Sequence, residues 1–245
     1  MKILVIGDTC IDIFRYGEVR RLAPEAPVPV IVPEYETVNP GMSGNVVENL
    51  KALGCEVEFI SNKSKIKKIR YVCSKYNHLL LRVDENDSCE NININHNLES
   101  IPWEKYDAVI ISDYCKGFLT ENDIYLISQR HSLTFLDTKK ELHSWADNIS
   151  FIKINNQEWE NNRKFLQSSE IKNKTIITKG KNGCEFKDKL YPTTEVPVKD
   201  LSGAGDTFLC GLVVEYLKTR NIEKAIIFAQ ECTTIVVQKL GVATV

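Results

Sequence analysis

Short runs of apolar residues, each ending at a glycine or a polar residue, recur along this chain. Residues 3–6 form one such run and are followed by Gly7 and Asp8, and residues 108–112 form another that is followed by Asp113. Continuous apolar runs of this length are typical of strands buried on both faces of a parallel sheet. Further strands are predicted at 57–60, 134–136, 151–154, 175–178 and 183–186.

Stretches with helical periodicity separate these runs. Residues 45–53 are predicted to form a helix that ends at Gly54. Thr120, with Asp123 three positions on, is typical of the capped start of a helix that runs to about residue 129. Two more helices are predicted near 205–219 and 223–238. Because strands alternate with helices, we expect one α/β domain over residues 1–245 with a mostly parallel central sheet.

A proline-rich segment interrupts this alternation. Residues 24–40 hold five of the eight prolines and alternate apolar with polar positions. Proline cannot donate to a strand ladder, so an edge ribbon or flap is predicted. Two short strands, 69–72 and 79–83, are predicted to pair around a turn at Tyr76 and Asn77. We expect a small β lid built by about 13–40, with 69–84 as a second candidate contribution. A basic connection is expected over 62–68 and a loop or short strand over 86–97.

Composition narrows the classes of function. The formal net charge of the 245 residues is −2, which argues against a nucleic-acid partner. The eight cysteines form no Cys-x-x-Cys pair and the four histidines have no metal-site spacing, so we expect free thiols in a reducing compartment. The chain begins with a strand pattern and not a signal peptide, and no apolar run is long enough to cross a membrane. We therefore expect a cytoplasmic protein without a membrane partner.

Residues 200–208, Asp-Leu-Ser-Gly-Ala-Gly-Asp-Thr-Phe, are the most informative stretch. Gly203 and Gly205 lie where a predicted helix begins, and the unpaired N–H groups of a helix start bind anions when glycine lets the anion approach. Asp206 would lie beside that anion, where a carboxylate can accept the proton of a hydroxyl that attacks a phosphate. A glycine-rich turn with an acidic residue in the first helical turn explains the same residues without chemistry. The local sequence leaves both interpretations open.

Polar residues follow most of the predicted strands. In an open α/β sheet the carboxyl ends of the strands form one edge, and ligands bind there. Any one of these residues could be a cap or a turn residue, but their repeated position predicts one shared cleft. They are Asp8, Asp12, Asp113, Lys116, Asp137, Lys139, Asn155, Glu158 and Lys179.

Several motifs, found together and in order, give the chain a family resemblance. Residues 203–206, Gly-Ala-Gly-Asp, resemble the signature of the ribokinase-like (PfkB) carbohydrate kinases. Within that family the chain is most similar to the D-glycero-β-D-manno-heptose 7-phosphate kinases, the kinase domain of bifunctional ADP-heptose synthesis proteins. The resemblance runs from about residue 3 to residue 245 and is interrupted mainly near 61–69. The motifs that carry it are Gly7-Asp8-x-x-x-Asp12, Pro24-Glu25-Ala26-Pro27-Val28-Pro29-Val30, Asp113-Tyr114-x-Lys116-Gly117 and Lys239-Leu240-Gly241.

The resemblance implies a ribokinase-like three-layer α/β/α fold with a β lid, ATP and Mg²⁺ as cofactors, and a homodimer formed through the lid. It implies an ATP-dependent kinase that phosphorylates a hydroxyl of a sugar or sugar phosphate. The acceptor it favours is heptose 7-phosphate, on the route to ADP-heptose and lipopolysaccharide. Asp206 would be the catalytic base, and the N–H groups of Gly203, Ala204 and Gly205 would hold the transferring phosphoryl group.

Two sets of binding residues accompany this resemblance. The expected substrate-binding residues are Asp8, Asp12, Gly41, Asn45, Arg82, Asp113 and Lys116. The expected cofactor-binding residues are Lys139, Asn155, Glu158, Thr178, Lys179, Gly180 and Ser202, with Asn155 and Glu158 organising Mg²⁺ directly or through water.

These residues also have ordinary structural explanations. Asn155 and Glu158 fit a helix cap with its capping-box partner, and Asp12 fits a turn residue. Arg82, like Arg15 and Arg21, is a candidate partner for a phosphate on the sugar but equally fits a solvated surface residue.

Departures from the family pattern keep other functions open. Relatives carry Gly-Gly-Ala-Ala-Asn where this chain has Gly41-Met42-Ser43-Gly44-Asn45, and residues 62–68 stand where relatives have a further strand–helix segment. The alternatives are a kinase for another sugar or a nucleoside, or a shortened relative that binds sugar or nucleotide without turnover. The retained Asp206 and the Asn155–Glu158 pair favour the enzyme, because a binder needs no base. A nicotinamide dehydrogenase is disfavoured, since the first strand lacks Gly-x-Gly-x-x-Gly.

Overall fold

The computed structural model describes residues 1–94 and 98–245 of the protein. The loop or short strand predicted over 86–97 lies partly outside these described residues. The strands are β1 (Lys2–Gly7), β2 (Thr9–Leu22), β3 (Pro29–Met42), β4 (Glu56–Ile60), β5 (Ile66–Cys73), β6 (His78–Glu85), β7 (Ala108–Asp113), β8 (Thr134–Thr138), β9 (Phe151–Asn155), β10 (Thr175–Thr178), β11 (Cys184–Phe186) and β12 (Lys189–Tyr191). The helices are α1 (Ser43–Ala52), α2 (Glu121–Ser128), α3 (Asn156–Gln167), α4 (Ala204–Thr219) and α5 (Ile222–Val236).

The central sheet of the described chain has eight strands in the order β12-β11-β10-β9-β8-β7-β1-β4. The pairs from β4 through β1, β7, β8 and β9 to β10 are parallel, while β11 and β12 are added antiparallel at one edge. The mostly parallel sheet predicted from the apolar runs is confirmed. Its parallel strands end at one common edge, so the residues that follow them are brought side by side.

Apolar cores on both faces of this sheet make the domain three-layered. Ile3 and Val5 of β1 pack in one core with α1, α4 and α5, whereas Leu4 and Ile6 pack in the other with α2 and α3. All four side chains are completely buried, because alternate residues of a strand point to opposite faces and both faces are covered. Fully burying each such side chain contributes roughly 1.5–3 kcal/mol.

Local signals account for the helix ends. Thr120 and Asp123 form the predicted capping box at the start of α2, which satisfies two otherwise unpaired N–H groups. Gly54, with a φ of 81°, follows α1 in the left-handed conformation that glycine adopts readily. In the part of the chain that the structure describes, no helix combines the length and apolar character needed to cross a bilayer.

A second sheet, with the order β3-β2-β5-β6 among the described residues, lies beside the central one. The proline-rich segment forms its edge strand β3, where proline is tolerated because no partner strand needs the missing N–H group. Strand β5 begins at Ile66, so the basic connection is shorter than the predicted 62–68. One face of this sheet buries Phe14, Tyr16 and Val72, and we call it the inner face.

Candidate active site

The strand ends bring the predicted polar residues to one edge of the central sheet. The register pairs Gly7 of β1 with Ser112 of β7, and Ser112 with Asp137 of β8. Further along, Asn155 at the end of β9 pairs with Thr178 at the end of β10. The residues after these strands are therefore neighbours in space, as expected for a shared cleft.

The glycine-rich turn before α4 depends on its two glycines. Gly203 caps the helix with a φ of 80°, a conformation that L side chains rarely adopt. A Cβ atom at Gly203 would lie 2.5 Å from Nδ2 of Asn45, and one at Gly205 would lie 2.8 Å from Nζ of Lys153. The N–H group of Ala204 donates to the carbonyl oxygen of Leu201 over 3.2 Å. The expected role of Ala204 in binding a phosphoryl group stays a prediction.

Asp206, the third residue of α4, is only 4% exposed. Its Oδ2 accepts a hydrogen bond from Nδ2 of Asn45 (2.8 Å), and its Oδ1 accepts one from the hydroxyl of Tyr114 (2.5 Å). Burial raises the pKa of Asp206 to about 6, although the hydrogen bonds from Tyr114 and Asn45 act in the opposite direction. The carboxyl group is thus placed to change its protonation near neutral pH.

A chain of amide contacts fixes the side chain of Asn45. Its Oδ1 accepts from Nδ2 of Asn49 (2.9 Å), and Oδ1 of Asn49 accepts from the hydroxyl of Thr207 (3.1 Å). Since Oδ1 of Asn45 is used in this way, its NH₂ group faces Asp206. These contacts join α1 to α4 at the site.

Asp12 lies on the inner face of the second sheet and is almost completely buried. The guanidinium group of Arg70 on β5 donates to Asp12 and lies 4.9 Å from the centroid of the Phe14 ring. A Cβ atom at Gly41 would lie 2.1 Å from Oδ2 of Asp12, so this glycine makes room for the carboxylate. Arg82 pairs with Arg70 in the strand register and therefore shares its face, but it is exposed and contacts Asp84.

Two of the predicted substrate-binding carboxylates face the interior of the protein. Asp8 is completely buried, and its two oxygens accept from the N–H groups of Tyr114 and Lys116, both over 2.7 Å. Asp113 accepts from the hydroxyl of Thr138 over 2.5 Å and contacts Nζ of Lys140 at 3.2 Å. Asp8, and Asp113 through the N–H group of Cys115 (3.2 Å), hold the turn after β7 in place. A contact of either carboxylate with substrate stays a prediction.

Lys116 lies in the same turn after β7. Its ammonium group contacts Asp87 at 2.5 Å and is largely covered.

Asn155 and Glu158 form a helix cap with its capping-box partner at the start of α3, which is the structural alternative given for them from the sequence. Glu158 N–H donates to Oδ1 of Asn155 over 2.9 Å, and Asn155 N–H donates back to Oε2 of Glu158 over 2.7 Å. The ammonium group of Lys139 also donates to Glu158. A lysine therefore lies against the cap at the edge of the sheet. After the neighbouring strand β10, the ammonium group of Lys179 contacts Glu185 at 2.5 Å. Gly180, the next residue, has a φ of 57°.

A buried ion pair stands behind the glycine-rich turn. Nζ of Lys153, on β9, donates to Oδ2 of Asp137 over 2.7 Å, and the two side chains are 4% and 2% exposed. Oδ1 of Asp137 has no hydrogen-bond donor among the described residues, although Nζ of Lys139 is 3.8 Å away. Lys153 was not among the residues predicted from the sequence. A lysine inside the apolar run of β9 was the available signal.

Arg70 and Tyr114 were also given no role from the sequence. Tyr114 was part of a quoted motif, but its contact with Asp206 spans 92 positions. The contact of Arg70 with Asp12 spans 58 positions, and only the register of β2 against β5 brings them together.

Two cavities adjoin the site. The first, of about 330 Å³, lies between the inner face of the second sheet and the segment that leads to the glycine-rich turn, and Arg70 and Ser202 both line it. The second, of about 380 Å³, is lined by Asn45 of α1 and by residues near the end of the chain, among them Lys239 and Thr244. The second cavity is linked to Asp206 through Asn45, which both lines the cavity and donates to that carboxylate.

The fold and the site define a class, the ribokinase-like α/β proteins. The structure resembles a mutant of phosphofructokinase-2 from Escherichia coli with a TM-score of 0.76 and 14% identity, covering 97% of this chain and 94% of that one. It resembles Arabidopsis thaliana ribokinase complexed with ribose and ATP with a TM-score of 0.69 and 14% identity, covering 98% and 93%. At these identities the likeness concerns the fold alone.

Sequence comparison supplies the family. The model of the pfkB family of carbohydrate kinases matches residues 101–245, and the chain belongs to this family. The bifunctional protein HldE of Nitratiruptor sp. is 31% identical over 299 residues, which cover 99% of this chain and 63% of that protein. The chain thus spans under two thirds of the length of this curated relative.

Replacement of Lys153 by methionine should destabilise the protein by about 3–5 kcal/mol at neutral pH, because the buried Asp137 loses its hydrogen-bonded cation and keeps the more distant Lys139, 3.8 Å away. The double variant Lys153→Met/Asp137→Leu should recover much of that loss. Urea unfolding curves measure both. As a control, Lys51→Met removes an exposed pair with Glu48 and should change the curve little. Equal losses in the single and double variants would contradict the pairing.

Proposed function

We propose that this chain is an ATP-dependent sugar kinase whose acceptor is a sugar or sugar phosphate, with heptose 7-phosphate as the leading candidate. The observation that carries the proposal is the buried carboxylate of Asp206 at the start of α4, with a pKa of about 6. A base with a pKa near the working pH is both ionised and able to accept a proton. Membership of a carbohydrate kinase family and the 31% identity to HldE support the acceptor class.

In the proposed reaction the acceptor hydroxyl gives its proton to Asp206. The acceptor oxygen then bonds to the γ-phosphorus of ATP, the bond to the bridging oxygen of the β-phosphate breaks, and ADP leaves. The helix start at Gly203 and Gly205 would stabilise the charge on the transferring group. Such catalysis depends mainly on positioning and electrostatics.

ATP is assigned to the edge formed by β8, β9 and β10. Lys139, Thr178, Lys179 and Gly180 lie at or just after the ends of these strands, and lysine suits nucleotide phosphates as a point charge. Ser202 would adjoin the phosphates from the glycine-rich turn. The Arabidopsis ribokinase structure, which is complexed with ribose and ATP, has the same fold and supports ATP as the phosphoryl donor.

Asn155 and Glu158 fit a Mg²⁺ ion because they offer oxygen atoms, the donors that Mg²⁺ prefers. Among the described residues no group of three or more His, Cys, Asp or Glu side chains is arranged to hold a metal. One carboxylate completed by phosphate oxygens and water is the usual arrangement for Mg²⁺ at a nucleotide. When bound, Mg²⁺ would neutralise charge on the phosphates. Oδ1 of Asp137, buried without a donor among the described residues, is a further oxygen at this edge.

The acceptor is assigned to the inner face of the second sheet. Asp12 suits paired sugar hydroxyls, because a carboxylate accepts from two donors. Arg70 and Arg82 are neighbours on this face, and guanidinium groups bind phosphate through two parallel hydrogen bonds. Lys116 would add charge, while Gly41 and Asn45 would shape the pocket. We propose that this sheet, β2, β3, β5 and β6, is the lid and excludes water during transfer.

A non-catalytic sugar- or nucleotide-binding relative is the second candidate function. The 299 residues aligned with HldE exceed the 245 of this chain, and only residues 61–65 connect β4 to β5. A shortened fold of this kind could keep binding without turnover. Asp206 argues for the kinase, because a protein that only binds sugar or nucleotide needs no base.

The outer face of the lid is the proposed interface of a homodimer. Val38 and Leu81 lie on this face and are 56% and 55% exposed. Arg15 and Glu36 form an ion pair beside them, so a second copy rotated by a two-fold axis would meet both apolar and charged groups.

The proposed location of the protein is the reducing cytoplasm. The eight cysteines are free, which fits that location.

Asp206→Asn should lower turnover by about 10²–10⁴-fold, because the variant cannot accept the proton, while ATP binding changes far less. A coupled ADP-release assay with Mg-ATP and a panel of sugars and sugar phosphates measures this. In the wild type, activity should fall as the pH drops through about 6, where Asp206 takes up a proton. Asp107→Asn, at an exposed aspartate, is the matched control. Undiminished activity in Asp206→Asn would remove the base assignment, and no turnover from folded, ATP-binding protein would favour the non-catalytic candidate.

Arg82→Gln should raise the KM for a phosphorylated acceptor about 10-fold or more, with little effect on the KM for ATP, because a charge-assisted hydrogen bond to phosphate is lost. Arg20→Gln is the control, since Arg20 is a highly exposed lid arginine that pairs with Glu18. Initial rates at varied acceptor and ATP concentrations give the KM for each substrate. An unchanged acceptor KM would point to a neutral sugar.

Leu81→Glu should convert the proposed dimer to monomers, because it places a charge in an apolar interface. Light scattering after size-exclusion chromatography gives the mass of the species. Leu190→Glu, at a comparably exposed leucine of β12, should leave that mass unchanged. A wild type with the mass of one chain at all concentrations would end the dimer proposal.

A further inference from the structure

Two separate elements hold the carboxylate of Asp206. The hydroxyl of Tyr114, from the turn after β7, donates to Oδ1, and the amide of Asn45, from α1, donates to Oδ2. Each carboxylate oxygen has two lone pairs, so both oxygens keep room for one more donor. The candidate base is therefore oriented without being saturated.

Tyr114 is itself fixed from several directions. Its N–H group donates to Oδ1 of Asp8 over 2.7 Å, and its ring packs against the buried cluster of Cys10, Met42 and Ile66. The ammonium groups of Lys68 and Lys139 lie 5.4 Å and 5.3 Å from the ring centroid, within the range of cation–π attraction. Rotation of the side chain away from Asp206 would disturb the packing of the ring and its cation–π contacts.

The direction of the hydrogen bond follows from the surroundings. Burial, together with the nearby charges of Asp206 and Asp137, raises the pKa of Tyr114 well above its usual value. Tyr114 therefore keeps its proton at neutral pH and is the donor, and Asp206 is the acceptor. A donor of this kind favours the ionised form of the carboxylate.

Other charged groups also act on Asp206. Asp137 raises its pKa, and the ammonium group of Lys153 lowers it. The titratable groups around it, counted over the described residues, are Tyr114, Asp137, Lys153, Lys139, Cys10 and Cys210. Among the neutral donors, the hydroxyl of Tyr114 stabilises the carboxylate more than the amide of Asn45 does.

We propose that Tyr114 is a positioning residue: its hydroxyl donates to Oδ1 of Asp206 throughout turnover and so directs Oδ2, beside Asn45, at the acceptor hydroxyl. This inference rests on the proposed kinase function. It assigns Tyr114 no contact with the reacting atoms. Its effect is transmitted through Asp206, which it keeps ionised and oriented in a site where burial alone would favour the protonated acid.

Tyr114→Phe tests the inference, because it keeps the ring and its packing and removes only the hydroxyl. The pKa of Asp206 is measured by ¹³C NMR titration of the side-chain carboxyl groups, with the Asp206→Asn spectrum to assign its resonance. We expect an increase of about one pH unit or more from loss of a hydrogen bond to a charged group. Tyr106→Phe removes a different tyrosine–carboxylate bond, to Glu58 outside the site, and should not move the Asp206 titration. An unmoved titration in Tyr114→Phe overturns the proposal.

The kinetic readout tests whether the bond persists during turnover. The pH profile of kcat/KM reports the free enzyme, and that of kcat reports the substrate complex. In each profile, the fall in activity at low pH should move to higher pH in Tyr114→Phe. A shift confined to kcat/KM would mean that the hydroxyl leaves Asp206 when substrate binds. It would contradict the proposal that the hydrogen bond is kept throughout turnover. If the wild type turns over no acceptor, the proposed function fails, yet the NMR titration still decides whether Tyr114 holds Asp206 ionised.

Discussion

Burial of the Asp206 carboxylate at the start of α4 is the constraint on which the site depends. A carboxylate removed from water is unfavourable unless donors surround it, and Asn45 and Tyr114 supply these donors from elements far away in the sequence. Asn45 in turn requires Asn49 to orient its amide. The placement of α1, of α4 and of the turn after β7 is thus tied to one charged group.

Much of the fold could be predicted because it rests on local signals. The runs that end at Asp8 and Asp113 became strands buried on both faces, and Thr120 and Asp123 formed their capping box. The class of fold followed from this alternation of strands and helices, and the family comparison confirmed the resemblance.

The side chains of the site were predicted less well, for a physical reason. Asp8 and Asp113 are buried, because a position after a strand does not decide whether a carboxylate turns outward or inward, and their expected contact with substrate stays a prediction. Arg70, Tyr114 and Lys153 received no role because their partners depend on register and on packing across the cleft. Local sequence carries no information about such long-range pairs.

The connection between the two sheets limits how they can move. Asp8 alone separates β1 from β2, and β3 runs directly into α1 at Ser43. The carbonyl oxygen of Asp8 accepts from both the N–H group and the hydroxyl of Ser43, while its carboxylate is bonded to the turn after β7. All of these bonds lie on the central-sheet side of the joint and anchor it to α1 and to the turn after β7. Any bending of β2 and β3 against the central sheet therefore falls beyond the joint, along these two long strands.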